Sequence, residues 1–139
     1  MSTSKPKILL GGLALLAVAG LAAACKGPST EAQRNQQLHQ GRIHFALRGA
    51  LLLRDRTHNP GLKFSRVEVM GDDGPICYSF RVPGAAQDES AVLNDDKLLV
   101  SDESAFAPLW QEDCAQKPGE DVTADVVLGL AQHDKTPSQ

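Results

Sequence analysis

The sequence predicts an α+β domain in which an N-terminal helix packs on a small antiparallel β-meander and a short C-terminal helix carries a cysteine. Three observations lead there. The segment RIHFALRGALLLRD, Arg42 to Asp55, is rich in Ala and Leu and nearly free of β-branched residues, which favours helix. Two pairs of apolar segments each flank a turn signal: KFSRVEVM and PICYSFRV around GDDG, then SAVL and KLLVS around Asn94-Asp95-Asp96. Pro108 suits the first position of a helix that runs through Trp110 toward Cys114, because its missing N–H costs nothing there.

Ahead of that domain lies a segment of another kind. MSTSKPK holds Lys5 and Lys7 and no acid, and the uncharged run ILLGGLALLAVAGLAAA follows from Ile8 to Ala24. A basic start, an apolar middle and small residues at the end are the layout of a secretory signal. The run is 17 residues, slightly short at about 1.5 Å per residue for a ~30 Å hydrocarbon core. Cys25 directly follows three alanines, and LAAAC resembles the lipobox of bacterial lipoprotein precursors.

In that family the cysteine thiol receives a diacylglycerol and the chain is cut just before it. The resemblance implies a signal peptide over residues 1–24 and a lipidated Cys25 that opens a tether, 25–29. It also implies a membrane anchor in the bacterial cell envelope, with the domain facing the periplasm. Ala22 stands where the family most often has leucine, and Leu21 lies one step earlier. Ordinary signal-peptidase cleavage after Ala24 and an uncleaved anchor are the two alternatives.

With Cys25 lipidated, Cys77 and Cys114 remain as a pair. Export places them in an oxidising compartment, where a small domain gains most from a bridge. No C-x-x-C is present, and the 37-residue separation argues against a zinc site or a redox dithiol. A structural disulfide is therefore expected, which makes the C-terminal helix a disulfide-linked one. Without its first 24 residues the 139-residue chain has room for one domain, expected over 30–131, with 132–139 as a flexible tail.

Charge is divided unevenly along the chain. Residues 26 to 68 hold eight Lys/Arg against three Asp/Glu, whereas residues 69 to 139 hold four against fourteen. Around a helix, Arg34, Arg42, Arg48 and Arg54 point at about 0°, 80°, 320° and 200°, so they form no single basic face. The expectation is solvated arginines lying near the acidic half of the same fold. An acidic net charge of −3 and an exported location together exclude nucleic acid as a partner class.

Along the mature chain, KGPS is a tether, and TEAQRNQQLHQ opens with Thr30 and Gln33 in capping-box spacing, which makes it a polar helical stalk. In the apolar segment that follows, Ile43, Leu47, Ala50 and Leu51 share one helical face. Phe45 and Leu52 fall opposite, which implies either a helix buried on two sides or a phase break at Gly49. A strand is the alternative for Ile43, Phe45 and Leu47, which alternate with Arg42, His44 and Arg48. THNPG is a turn. In the second strand Ile76, Tyr78, Phe80 and Val82 share a face, with Cys77 on the other. Trp110, four residues from Cys114, is placed beside the bridge. DVTADVVLGL supplies either a last strand or an apolar tail, and AQHDKTPSQ a frayed end. The stretch LLRDRTHNPGLKFSRVEVMGDDGPICYSFR loosely resembles small exported bacterial proteins in which a helix ending in leucine, a basic residue and Asp leads to a turn, a Phe-led strand and a Cys-bearing strand. Arg56 stands where that pattern usually has proline. The resemblance implies a topology and no activity.

The chain has no G-x-S-x-G, H-E-x-x-H, P-loop or G-x-G-x-x-G pattern. His39 and His44 are wrongly spaced for one helical metal face, and His58 and His133 fall in a turn and a tail. Asp72-Asp73-Gly74 and Asn94-Asp95-Asp96 read as hairpin tips before they read as calcium ligands. No catalytic, metal or cofactor-binding residue is expected. Two function classes follow: a non-enzymatic envelope lipoprotein that binds or modulates a partner protein near the membrane, and a small cell-wall hydrolase using acids such as Glu103 or Glu112.

Overall fold

A computed structural model describes residue 27 and residues 29–136. The expected signal peptide, the lipidation site Cys25 and the last three residues lie outside the described residues. The fold is α+β. Helix α1, Thr30–Thr57, is followed by strands β1 (Lys63–Val69), β2 (Ile76–Arg81), β3 (Glu89–Asn94) and β4 (Lys97–Val100). Helix α2 (Phe106–Asp113), strand β5 (Glu120–Asp121) and helix α3 (Thr123–Lys135) complete it.

Stalk and apolar segment are a single helix of 28 residues. Its cap is Ser29, one residue before the expected Thr30: the Ala32 amide donates to Ser29 Oγ at 3.2 Å. At the other end His58 takes a left-handed conformation (φ 51°), and its N–H reaches back to the carbonyls of Arg54 and Asp55. Ala46, Gly49, Ala50 and Leu53 form the buried face, flanked by Ile43, Leu47 and Leu51. Neither a second buried side nor a phase break exists. Phe45 and Leu52 are exposed, and Gly49 is itself the point of closest contact with the sheet.

The five strands are all antiparallel, in the order β4-β3-β2-β1-β5. Strand alternation sends Val67, Val69, Ile76, Tyr78, Phe80, Ala91, Leu93 and Val100 toward α1 and α3. It sends Cys77, Val92 and Leu99 to the opposite face, where α2 covers them with Phe106, Leu109 and Trp110. The result is a sheet with two helices on one side and one on the other. A register shift between Phe64 and Arg66 keeps both Phe64 and Val67 on the α1 face.

Tyr78 lies at the centre of the main core with no solvent exposure. Its hydroxyl donates to the Ala46 carbonyl of α1 at 2.9 Å, and burial pushes the phenol pKa up. A Cβ on Gly49 would lie 2.1 Å from that hydroxyl, so only glycine lets the helix approach this closely. Phe64 meets Tyr78 edge-on, with centroids 6.1 Å apart.

The disulfide Cys77–Cys114 joins the central strand β2 to the end of α2, with Cα atoms 5.8 Å apart. Trp110 packs against the same small core as the bridge, as its spacing from Cys114 implied, and Phe106 stacks on it at 5.4 Å. Two expectations need correction. Pro108 is the third residue of α2 rather than the first, still within the turn whose amides lack helical partners. The disulfide-linked helix is also not the last one, because DVTADVVLGL, apart from Asp121 in β5, is neither strand nor apolar tail. After the two-residue β5 it forms α3, which continues to Lys135, so the fold runs past residue 131 into the expected tail.

Local chemistry explains that helix. Asp121 Oδ1 accepts from the Thr123 amide at 2.9 Å and from its hydroxyl at 2.6 Å. These two bonds hold the Asp121 carboxyl below its ordinary range. Thr123 Oγ1 accepts in turn from the Val67 amide at 2.8 Å. Val122, Val126 and Leu130 then recur every four residues and are buried in the main core.

Removing the bridge should cost much of the domain's stability. In the chain-entropy view, closing a loop of this length contributes about 4 kcal/mol, set against a total of about 5–15 kcal/mol for a typical domain. Cys77→Ala and Cys114→Ala should lower urea midpoints equally, and the double variant should be no worse than either. Additive losses would show that the cysteines act separately.

Candidate functional site

A groove of about 320 Å³ lies between α1 and the hairpin tips of the sheet. Gln37, Leu38, Gly41, Arg42 and Phe45 of α1 form one wall. The other carries Val69, Ile76 and Leu93 as an apolar floor, with Asp72, Asp73 and Asp95 at the rim. Leu38 and Phe45 are exposed at its mouth, by 42% and 58%. Such a lining offers apolar contact with a few charges to orient a ligand.

Arg42 organises one end. Its Nη1 donates to Glu120 Oε2 at 2.6 Å, and its Nη2 donates to Asp72 Oδ1. His39, one turn earlier on α1, pairs through Nδ1 with Glu120 Oε1. The His39 hydrogen bond and then the Arg42 guanidinium hold the Glu120 carboxyl below the usual range against the opposing effect of burial. Arg42 Nε is buried and has no hydrogen-bond partner among the described residues, so its terminal nitrogens carry these contacts. The network fastens the β1–β2 turn and β5 to the middle of α1.

The residues singled out from sequence are scattered. Cys77 and Cys114 are bonded to each other on the α2 side of the sheet, away from the groove, and Cys25 lies outside the described residues. Glu103 accepts from the Val100 amide at 2.7 Å and pairs with Arg56 at 3.0 Å. The Val100 amide and then Arg56 lower its pKa, which favours a carboxylate over a proton donor at neutral pH. Glu112 lines an open depression that adjoins the groove at Asp95 and also takes in Asn94, Asp96, Lys97 and Ala105. His44 is edge-on to Phe45 at 6.1 Å, and His133 is 3.8 Å from Asp134. Asp95 takes φ 52° at the β3–β4 tip, as its turn role requires. Among the described residues no group of three or more His, Cys, Asp or Glu is placed to hold a metal ion.

The groove residues were missed for identifiable reasons. Leu38 was one apolar residue in a polar stalk, and Phe45 fell on the unexplained face of the helix. Their separation of seven, with Gly41 between them, was the available signal. Glu120 is 78 positions from Arg42, and nothing local marks it.

Comparison with protein-family models, curated proteins and solved structures finds no match to this chain. The site is therefore read from its own residues.

Glu120 supplies a pH test. A depressed carboxyl pKa stabilises the fold above its unfolded value, and the contribution disappears as pH falls through the folded value. Glu120→Gln should cost about 1 kcal/mol or less at pH 7, as partly exposed pairs do. The difference from wild type should shrink as pH falls through the folded-state pKa of Glu120, which lies below the ordinary carboxylate value. A gap that persists unchanged at low pH would show that Glu120 acts by packing.

Proposed function

We propose that this protein is a non-enzymatic lipoprotein of the bacterial cell envelope. It is anchored through a diacylated Cys25, faces the periplasm, and binds or modulates a partner protein close to the membrane. The observation that carries the reading is LAAAC at the end of an uncharged run with a basic start. The Cys77–Cys114 bridge fits an oxidising compartment and leaves Cys25 as the odd cysteine. The groove along α1 supports a binding role: its lining is apolar with a charged rim, and it begins at Gln37, a little over two turns from the expected tether. No helix among the described residues is long and apolar enough to cross a membrane.

Cys25→Ser should abolish acylation and move the protein from the membrane to the soluble fraction. Thermal unfolding of the domain should stay unchanged, because every residue from Thr30 to Leu38 is already exposed. Mass spectrometry of the purified protein should find a diacylglycerol adduct on Cys25. An unmodified Cys25 bonded to Cys77 or Cys114 would refute the lipoprotein reading.

A further inference from the structure

The sheet ends on one side at β4, and an edge strand turns amides and carbonyls outward that another strand can pair with. Which groups of β4 do so follows from its hydrogen bonds. The Ser101 amide donates to the Ser90 carbonyl at 3.0 Å just beyond the strand, and ladder bonds fall on alternate residues of an antiparallel pair. Lys97 and Leu99 therefore turn their backbone groups toward Asn94 and Val92 of β3, and Leu98 and Val100 turn theirs out.

Three of those four outward groups are engaged, all by Arg56 and Glu103. Arg56 Nη1 donates to the Leu98 carbonyl at 2.8 Å. Glu103 meets Val100 twice: its Oε2 accepts from the Val100 amide at 2.7 Å, and its own amide donates to the Val100 carbonyl at 2.9 Å. Arg56 Nη2 then joins the two residues, lying 3.0 Å from Glu103 Oε2. Among the described residues the Leu98 amide has no such partner.

Strand β1 is closed on its outer side by different means. There the Val67 carbonyl accepts from the Val122 amide at 2.9 Å, the Val67 amide donates to Thr123 Oγ1 at 2.8 Å, and Val122 is fully buried. Lifting that closure opens the main core. The closure of β4 rests on side chains that are 43% and 32% exposed, so it can open while the core stays packed.

We propose that Arg56 and Glu103 form a clasp that keeps β4 closed to strand addition, and that opening it lets β4 pair with the same edge of a second copy. The edge is complementary to itself, because Leu98 turns both a donor and an acceptor outward. The clasp belongs to the domain and does not depend on whether Cys25 is acylated.

Sedimentation equilibrium of the full chain in a mild non-ionic detergent, with amide exchange followed residue by residue, tests the proposal. Wild type should keep the single-chain mass, with its Val100 amide protected at least tenfold more than that of Leu98. Glu103→Ala alone should lose the Val100 protection. The double variant Arg56→Ala/Glu103→Ala should associate at least a hundredfold more tightly than wild type, keep its far-UV spectrum, and gain protection at the Leu98 amide as concentration rises. A single-chain mass for the double variant would overturn the proposal, as would association that leaves Leu98 exchange unchanged. So would equal association by wild type, or Val100 protection that survives in Glu103→Ala.

Discussion

The architecture depends on one close approach, that of Tyr78 to the helix backbone at Ala46 and Gly49. A fully buried phenol needs a hydrogen-bond partner, and the Ala46 carbonyl supplies it at 2.9 Å. This bond fixes α1 along its axis as well as in depth, since a shift of one residue would carry Gly49 away from the hydroxyl it must clear. The rest of the α1 face follows. Ala46 and Ala50 lie against the sheet because they are small, Leu53 fills the core beyond them, and Leu38 and Phe45 are left at the edge above Ile76 and Leu93. The groove is thus a consequence of where the tyrosine holds the helix.

The divided charge of the chain has its counterpart in the fold. Arg42 pairs with Asp72 and Glu120, Arg54 with Asp134 at 2.9 Å, and Arg56 with Glu103 at 3.0 Å, so these pairs tie basic α1 to the acidic later half. Of the four arginines that share no helical face, Arg42 and Arg54 reach partners on different elements, β5 with the β1–β2 turn and α3. Individually such part-exposed pairs contribute roughly 0–1 kcal/mol. Their effect is on orientation: Arg42 holds the β1–β2 turn and β5, Arg54 holds α3, and Arg56 also donates to the Leu98 carbonyl of edge strand β4 at 2.8 Å. That last bond occupies an acceptor that an incoming strand would otherwise use.

What could be read in advance follows from how local each signal is. The four meander strands were legible because alternation and turn residues are written within eight positions, and the division of Tyr78 from Cys77 across the sheet came from alternation alone. Helix α3 was not legible. Its apolar residues Val122, Val126 and Leu130 are interleaved with the equally apolar Val127 and Leu128, which remain exposed, and its start depends on Asp121 and Thr123 meeting Val67. On α1 the expected face of Ile43, Leu47, Ala50 and Leu51 does pack against the core, but its centre lies on Ala46, Gly49, Ala50 and Leu53, because packing over Tyr78 selects small residues there. The partner that holds Arg42 at the groove, Glu120, is distant in the chain, and no spacing reveals it.

The central claim is that Tyr78 excludes any side chain at Gly49, and the stability of Gly49→Ala tests it most directly. In an unconstrained helix interior this change stabilises by about 1 kcal/mol. Forcing a methyl group into a filled core costs about 1–3 kcal/mol, and an approach of 2.1 Å places this site at the severe end. The account predicts a clear fall in the urea midpoint for Gly49→Ala, partly recovered when Tyr78→Phe removes the nearest atom. A midpoint that stays level or rises, with no coupling between the two substitutions, would contradict it.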